Sequence, residues 1–215
     1  METIPLWPIL TYRFDWPEHS FYQSALKRVC DGFHQNKQTS HIADASKHGL
    51  YESPFNFALS DDPAVAAWAD WIKKCVFEAA KNASGKEWPA GINLMLELHE
   101  SWCHVTDNGG FHDRHMHPNS CWSGIYYLDC ADMKPGTING VNRFYRPWDT
   151  AYIDAGTVWT RNNYIDIQAR AGMLFLFPSW IDHSALPYFG TRQRYVLSFN
   201  SQIKLVKYAD ADADA

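Results

Sequence analysis

The stretch Phe111–Asp129, FHDRHMHPNSCWSGIYYLD, holds the residues best placed for chemistry. His115 and His117 stand one residue apart. On an extended strand that spacing turns both imidazoles to one face, because side chains alternate with period two. Two imidazoles and a third protein ligand can hold a divalent metal and leave positions open for substrate or water. The third must come from a neighbouring strand, far off in sequence. His183 is the best candidate: it follows Gly172, the apolar run Met173–Phe177 and the proline-bounded bend Pro178–Trp180. His112 competes for the role. His99 and His104 lie near enough in sequence to surround the site, and Trp102, Asn200 and Arg146 are further candidates for contacts around the metal or with substrate. His19, His34, His41 and His48 are given no role, since an isolated histidine is usually a surface or satisfied core group.

These residues need a β scaffold, and the second half of the chain supplies one. After Pro89, INLMLELHESWCHV alternates imperfectly, as one long strand or two. Asn108-Gly109-Gly110 reads as a turn. Further strands are expected near Tyr164–Gln168, Met173–Phe177 and Arg194–Gln202, with a loop-rich section from Ala131 to Asn163. That section contains Arg143, Arg146, Trp148 and Trp159, which could meet an anionic or aromatic substrate or simply close the sheet.

The first half reads as an edge strand in IPLWPILTYRF and two helices, at about 18–36 and 62–82. Asp15-Trp16-Pro17-Glu18 is a start signal for the first helix, with Asp15 a possible cap; Ser60-Asp61-Asp62-Pro63 caps the second. Residues 36–59 read as an irregular surface connection. Early helices and late strands without βαβ alternation predict an α+β fold, mainly β, with an antiparallel sandwich or barrel as core.

The chain has 215 residues, 46% hydrophobic and 20% charged, which suits one globular domain over 1–205 and excludes wholesale disorder. The tail, residues 206–215, is acidic, of low complexity and expected to be disordered. A net charge of −5 argues against nucleic acid as partner. No apolar run is long enough to span a membrane, and no signal peptide is recognisable at the N-terminus. Five cysteines without a C-x-x-C read as buried thiols of a reducing cytoplasm.

Four blocks resemble the prolyl hydroxylases of the Fe(II)/2-oxoglutarate-dependent dioxygenase superfamily. NGGFHDRHMHPN is similar to their N-G…R-H-x-D-N-P stretch, and GIYYLD to their C-I-Y-Y-L-N strand. G-x-L-x-x-F-P…H resembles the approach to their distal histidine, and Arg194–Ser198 their R-x-x-x-[ST] strand. The blocks run in family order from Asn108 to Asn200. The H-x-H-P-N-S…S-G-x-Y-Y-L signature is nearer still to a group of small bacterial proteins of this superfamily.

The resemblance implies a double-stranded β-helix, a jelly-roll or cupin-like barrel, with the two N-terminal helices packed against it. It implies Fe(II) held by His115 and His183, and 2-oxoglutarate as co-substrate. Arg194 and Tyr127 match residues that hold the distal carboxylate of 2-oxoglutarate; Ser198 lies four residues beyond Arg194, on the same strand face. The implied reaction oxidises a small-molecule or peptide substrate, most simply by hydroxylation, with release of succinate and carbon dioxide. A homodimer is left open.

The departure from the family is His117, where a carboxylate is usual. Asp113, with the strand parity of His115, or Asp182 could supply one instead. Two other classes fit a three-histidine set: a cupin-type dioxygenase of a small thiol that needs no 2-oxoglutarate, and a non-catalytic metal-binding barrel. A zinc hydrolase has the ligands but lacks an H-E-x-x-H base.

Overall fold

A computed structural model describes residues 1, 8–36, 47–85, 88, 92–148 and 163–208. In chain order its elements are β1 (Tyr12–Asp15), α1 (His19–Gln35), β2 (Lys47–Glu52), a short 3-10 turn (Phe57–Leu59) and α2 (Pro63–Ser84). There follow β3 (Ile92–His115), β4 (Trp122–Asp129), β5 (Asn142–Tyr145), β6 (Tyr164–Ile167), β7 (Met173–Pro178), β8 (His183–Ala185) and β9 (Arg194–Tyr208). The segment after Tyr208, most of the expected tail, lies outside the described residues, as do Trp159 and the first part of the N-terminal strand.

α2 forms where its sequence signals say. The Asp62 carboxylate accepts from Ala64 N at 2.8 Å, Pro63 opens the first turn, and Gly85 closes the helix at φ 62°. Its stripe Val65, Trp68, Ile72, Val76 and Ala79 is buried. α1 starts differently from the expectation. Glu18 precedes it without a side-chain cap. Asp15 ends β1 instead and pairs with Arg170.

The strands make one antiparallel half-barrel in the order β1-β7-β4-β9-β3-β8-β5-β6, with β2 on β3. Period-two alternation sorts its side chains onto two faces. Tyr126, Leu128, Leu174, Leu176, Tyr195, Leu197 and Phe199 form one core together with Leu26, Trp68, Ile72 and Val76 of the helices. Ile125, Tyr127, Phe175, Phe177 and Val196 form a second core with Phe144. Gly124 has no side chain for a packing reason: a Cβ there would stand 2.3 Å from the Phe199 ring.

β3 is the spine. Its first part, Ile92–Thr106, pairs with β9, and its end, His112 to His115, pairs with β8. Asn108–Gly110 is therefore not a turn between strands but an irregularity inside one. From His48 to Leu50 the β2 strand takes two steps while β3 takes five, from Phe111 to Thr106. Gly109 takes φ 82°, and Gly110 lies so close to β2 that a Cβ would sit 2.3 Å from the Gly49 carbonyl.

The stretch read as irregular surface also carries structure. It contains β2, with Glu52 buried, and the fully buried Phe57. β5 likewise lies within the section expected to be loop. All five cysteines are free, but only Cys30, Cys75 and Cys103 are buried; Cys121 is exposed.

Candidate metal centre

The cross-strand pairing of β3 with β8 builds the centre. His115 and His183 are direct partners in the ladder. His117 lies two residues on, where its backbone N–H donates to the Ser179 carbonyl at 3.0 Å. One potential ligand atom from each of the three lies within 4.8 Å of the others. Ring centroids are 4.3 Å apart for His115 and His183, 5.0 Å for His115 and His117, and 5.1 Å for His117 and His183.

Two of the rings are oriented for ligation. His115 Nδ1 lies 2.7 Å from the Asp113 carbonyl, and His183 Nδ1 lies 3.1 Å from the Ile181 carbonyl. A carbonyl only accepts, so both Nδ1 atoms carry hydrogen and each Nε2 keeps its lone pair for a metal. His183 is buried, and its proton affinity falls well below the usual histidine range, first through burial and then through His115 and His117. A neutral imidazole is the form that ligates. These three groups fit a divalent metal.

The carboxylate alternatives do not reach the triad. Asp113 is exposed and offers its backbone carbonyl inward. Asp182 accepts from Arg114 Nε at 2.9 Å. His112 stacks on His115 with centroids 3.9 Å apart. It does so because a bulge between His112 and His115 sets three steps of β3 against two of β8 and re-aims the ring.

The cavity beside the triad is also lined by Trp102, His104, Asn142, Arg194 and Ser198. Arg194 is 3% exposed, yet no carboxylate pairs with it among the described residues; its Nη2 donates to Asn142 Oδ1 at 3.1 Å. Burial lowers its proton affinity, while Tyr127, Cys130 and Tyr188 act in the opposite direction. The Tyr127 hydroxyl donates to the same Asn142 oxygen at 2.9 Å, and burial pushes its pKa up. Asn200 donates to Glu100 Oε2 at 2.6 Å, and the same Nδ2 lies 3.4 Å from His117 Nδ1.

Arg146 stands apart from this group. It lines a separate cavity of about 290 Å³ with Phe144, Trp148 and Tyr164, and its Nη2 donates to Asn163 at 2.8 Å. Arg143 closes the sheet, pairing with Asp166 at 2.7 Å across β5 and β6. Sequence reasoning missed Asn142, which joins Tyr127 to Arg194. Its signal was a polar residue opening the strand Asn-Arg-Phe-Tyr, where a buried amide needs partners.

Comparison with known proteins adds to this geometry. The model of a family described as "Putative 2OG-Fe(II) oxygenase" matches residues 100–200, the span that carries all three histidines, Tyr127, Arg194 and Ser198. Among curated proteins nothing matches the sequence. Among solved structures, a Pseudomonas putida prolyl-4-hydroxylase is similar with a TM-score of 0.58 and 17% identity, over 88% of this chain and 91% of its own. A Trichoplax adhaerens prolyl hydroxylase, in complex with a hypoxia inducible factor peptide fragment, gives 0.58 and 15%, over 89% and 82%. HygX from Streptomyces hygroscopicus, with nickel and 2-oxoglutarate bound, gives 0.53 and 12%, over 89% and 82%. The half-barrel is thus the double-stranded β-helix of these enzymes. The family match lies over the three histidines and Arg194 alike, so the span that carries the candidate centre is similar to the Fe(II)- and 2-oxoglutarate-dependent oxygenases in sequence, and the chain is similar to them in fold.

Proposed function

We propose that His115, His117 and His183 hold Fe(II), and that Arg194, Tyr127 and Ser198 receive the distal carboxylate of 2-oxoglutarate. The observation that carries this reading is the buried Arg194 guanidinium, which has no carboxylate partner among the described residues and lines the same cavity as the three imidazoles. A buried cation without a counterion is costly, and an incoming carboxylate offsets that cost with bidentate hydrogen bonds. When bound, the iron supplies dioxygen activation coupled to breakdown of 2-oxoglutarate to succinate and carbon dioxide, which oxidises, most simply hydroxylates, a C–H bond of the substrate.

The chain's own residues supply position and exclusion of water. The Asp113 and Ile181 carbonyls fix two of the imidazoles. Asn142 Oδ1 accepts from both Arg194 and Tyr127 and so ties the two side chains together. Phe177 and Phe144 pack against His183 at 4.8 and 5.4 Å between centroids and keep that side dry. The substrate is a small molecule or a peptide. Five free cysteines suit a reducing compartment such as the cytoplasm, and no helix of the described residues is long and apolar enough to cross a membrane.

The test is an anaerobic titration of the Fe(II)-loaded protein with 2-oxoglutarate. A visible metal-to-ligand charge-transfer band is expected in the wild type, with weaker 2-oxoglutarate binding in Arg194→Ala. No band, or identical behaviour of the two proteins, would overturn the reading in favour of a three-histidine thiol dioxygenase, which has no use for Arg194.

A further inference from the structure

We propose that Asn200, turned by Glu100, holds the Nδ1 lone pair of His117 and makes His117 the exchangeable ligand of the three. The inference rests on the site reading above and deepens it. The triad is not symmetrical. His115 and His183, direct partners in the ladder, each have Nδ1 against a backbone carbonyl, at 2.7 and 3.1 Å, so both rings stand ready to ligate through Nε2. His117 Nδ1 faces a side-chain amide instead: Asn200 Nδ2 lies 3.4 Å away.

The neighbours of Asn200 set the polarity of that contact. In the sheet it is the register partner of Glu100 on β3 and of Ser123 on β4, and it is buried. Its Nδ2 donates to Glu100 Oε2 at 2.6 Å, and its Oδ1 accepts from the Ser123 hydroxyl at 2.6 Å. Ser123 would serve either orientation of the amide, because a hydroxyl both donates and accepts. Glu100 would not, because a carboxylate only accepts. The amide nitrogen therefore faces Glu100, and its second N–H is the one that meets His117. Nδ1 accepts it, and the hydrogen of the neutral His117 ring sits on Nε2. That is the opposite tautomer to those of His115 and His183.

Ligation by His117 has to break this contact whichever nitrogen is used. Through Nδ1, the metal competes with the Asn200 N–H for one lone pair. Through Nε2, the ring hydrogen must move to Nδ1, where it would point at that same N–H. The cost is about one net hydrogen bond, which holds metal affinity about three- to tenfold below what His117 would otherwise give. His115 and His183 carry no such cost. A group that accepted the free N–H of a metal-bound imidazole would act in reverse, raising ligand basicity, and its loss would weaken the metal. The two readings of Asn200 differ in sign.

The experiment has two arms, both on the full chain. Long-range proton–nitrogen correlation spectra of histidine-labelled protein, recorded before metal is added and with His117 assigned by its loss in His117→Ala, are expected to place hydrogen on Nε2 of His117 and on Nδ1 of His115 and His183. Hydrogen on Nδ1 of His117 would overturn the proposal, and this arm needs no variant at position 200. The second arm measures Ni(II) affinity by calorimetry. Asn200→Leu, which neither donates nor accepts and leaves the charge unchanged, is expected to tighten Ni(II) about three- to tenfold. His117→Ala is expected to weaken it about tenfold, against about 100-fold or more for His183→Ala. Weaker or unchanged binding in Asn200→Leu, or equal losses in the two alanine variants, would overturn the proposal alone. Ni(II) affinity unchanged by His183→Ala would overturn the site reading and this proposal with it, which keeps the two failures distinct.

Discussion

The two faces of the half-barrel use the same strands for opposite purposes. On β9, Tyr195, Leu197 and Phe199 join the helices in an apolar core, while Arg194, Ser198 and Asn200, alternating with them, turn polar groups inward. β4 does the same with Tyr126 and Leu128 on one side and Ser123 and Tyr127 on the other. Both sets are buried, so burial alone does not tell them apart. What differs is partnership. The helix face is satisfied by dispersion and apolar area. The inner face holds polar groups whose partners are few and shared, Asn142 serving both Tyr127 and Arg194. One face is finished by folding; on the proposed function, the other is finished by a ligand.

The largest test of that contrast sets His183→Ala against Leu197→Ala. Loss of a ligand is expected to weaken Fe(II) or Ni(II) binding by about 100-fold or more with little change in Tm. Leu197→Ala is expected to cost about 2–5 kcal/mol of stability, read by denaturant unfolding, and to leave metal affinity intact where the protein is folded. If both variants lose both properties equally, the faces are not separable.

Arg194→Met sharpens the comparison within the inner face. It should weaken 2-oxoglutarate by about 100-fold, from the loss of charged hydrogen bonds, and at the same time raise the Tm of the metal-free protein, because a buried cation lacking a counterion is removed. A lowered Tm would mean that Asn142 and Met133 satisfy the guanidinium better than their geometry suggests.

The smallest effect is one of pH. His183 keeps its neutral form below the ordinary value of 6.5, through burial and then its neighbouring histidines. The unfolded chain therefore takes up a proton there that the folded chain refuses, so this site lowers metal-free stability as pH falls below about 6.5. The slope of Tm against pH between about 7 and 5 should be shallower in His183→Asn than in the wild type. An equal slope would assign the acid loss to other groups.

Much of the inner face was legible because its signals are local. H-x-H on a strand, the Gly-Ile-Tyr-Tyr-Leu-Asp alternation and an arginine opening an apolar run are each weak alone; their occurrence together and in order is what pointed to one face of one barrel. The failures share a cause. Asn108-Gly109-Gly110 has turn composition, yet β2 lies across it, and only that approach makes it an irregularity inside a strand. β2 itself was invisible because Lys-His-Gly-Leu-Tyr-Glu buries a carboxylate, which is intelligible only once His104 stands opposite. Arg146 was grouped with the site because it falls in an arginine- and aromatic-rich section read as loop, and it lies in another cavity, since Phe144 separates the two. Asp15 looked like a cap but was committed to Arg170, far along the chain.

The pairing of His115 with His183 has a mechanical meaning as well. A divalent ion gripping both would pin the end of β3 to β8 and close a loop that contains β4, β5, β6 and β7. Such a clasp acts on the unfolded chain as a cross-link does, removing loop-closure entropy that grows with the length enclosed. Occupancy would then show itself as slower proteolysis throughout that loop, including strands that touch neither histidine, and the metal would serve as a rivet in the barrel before it serves as a reagent.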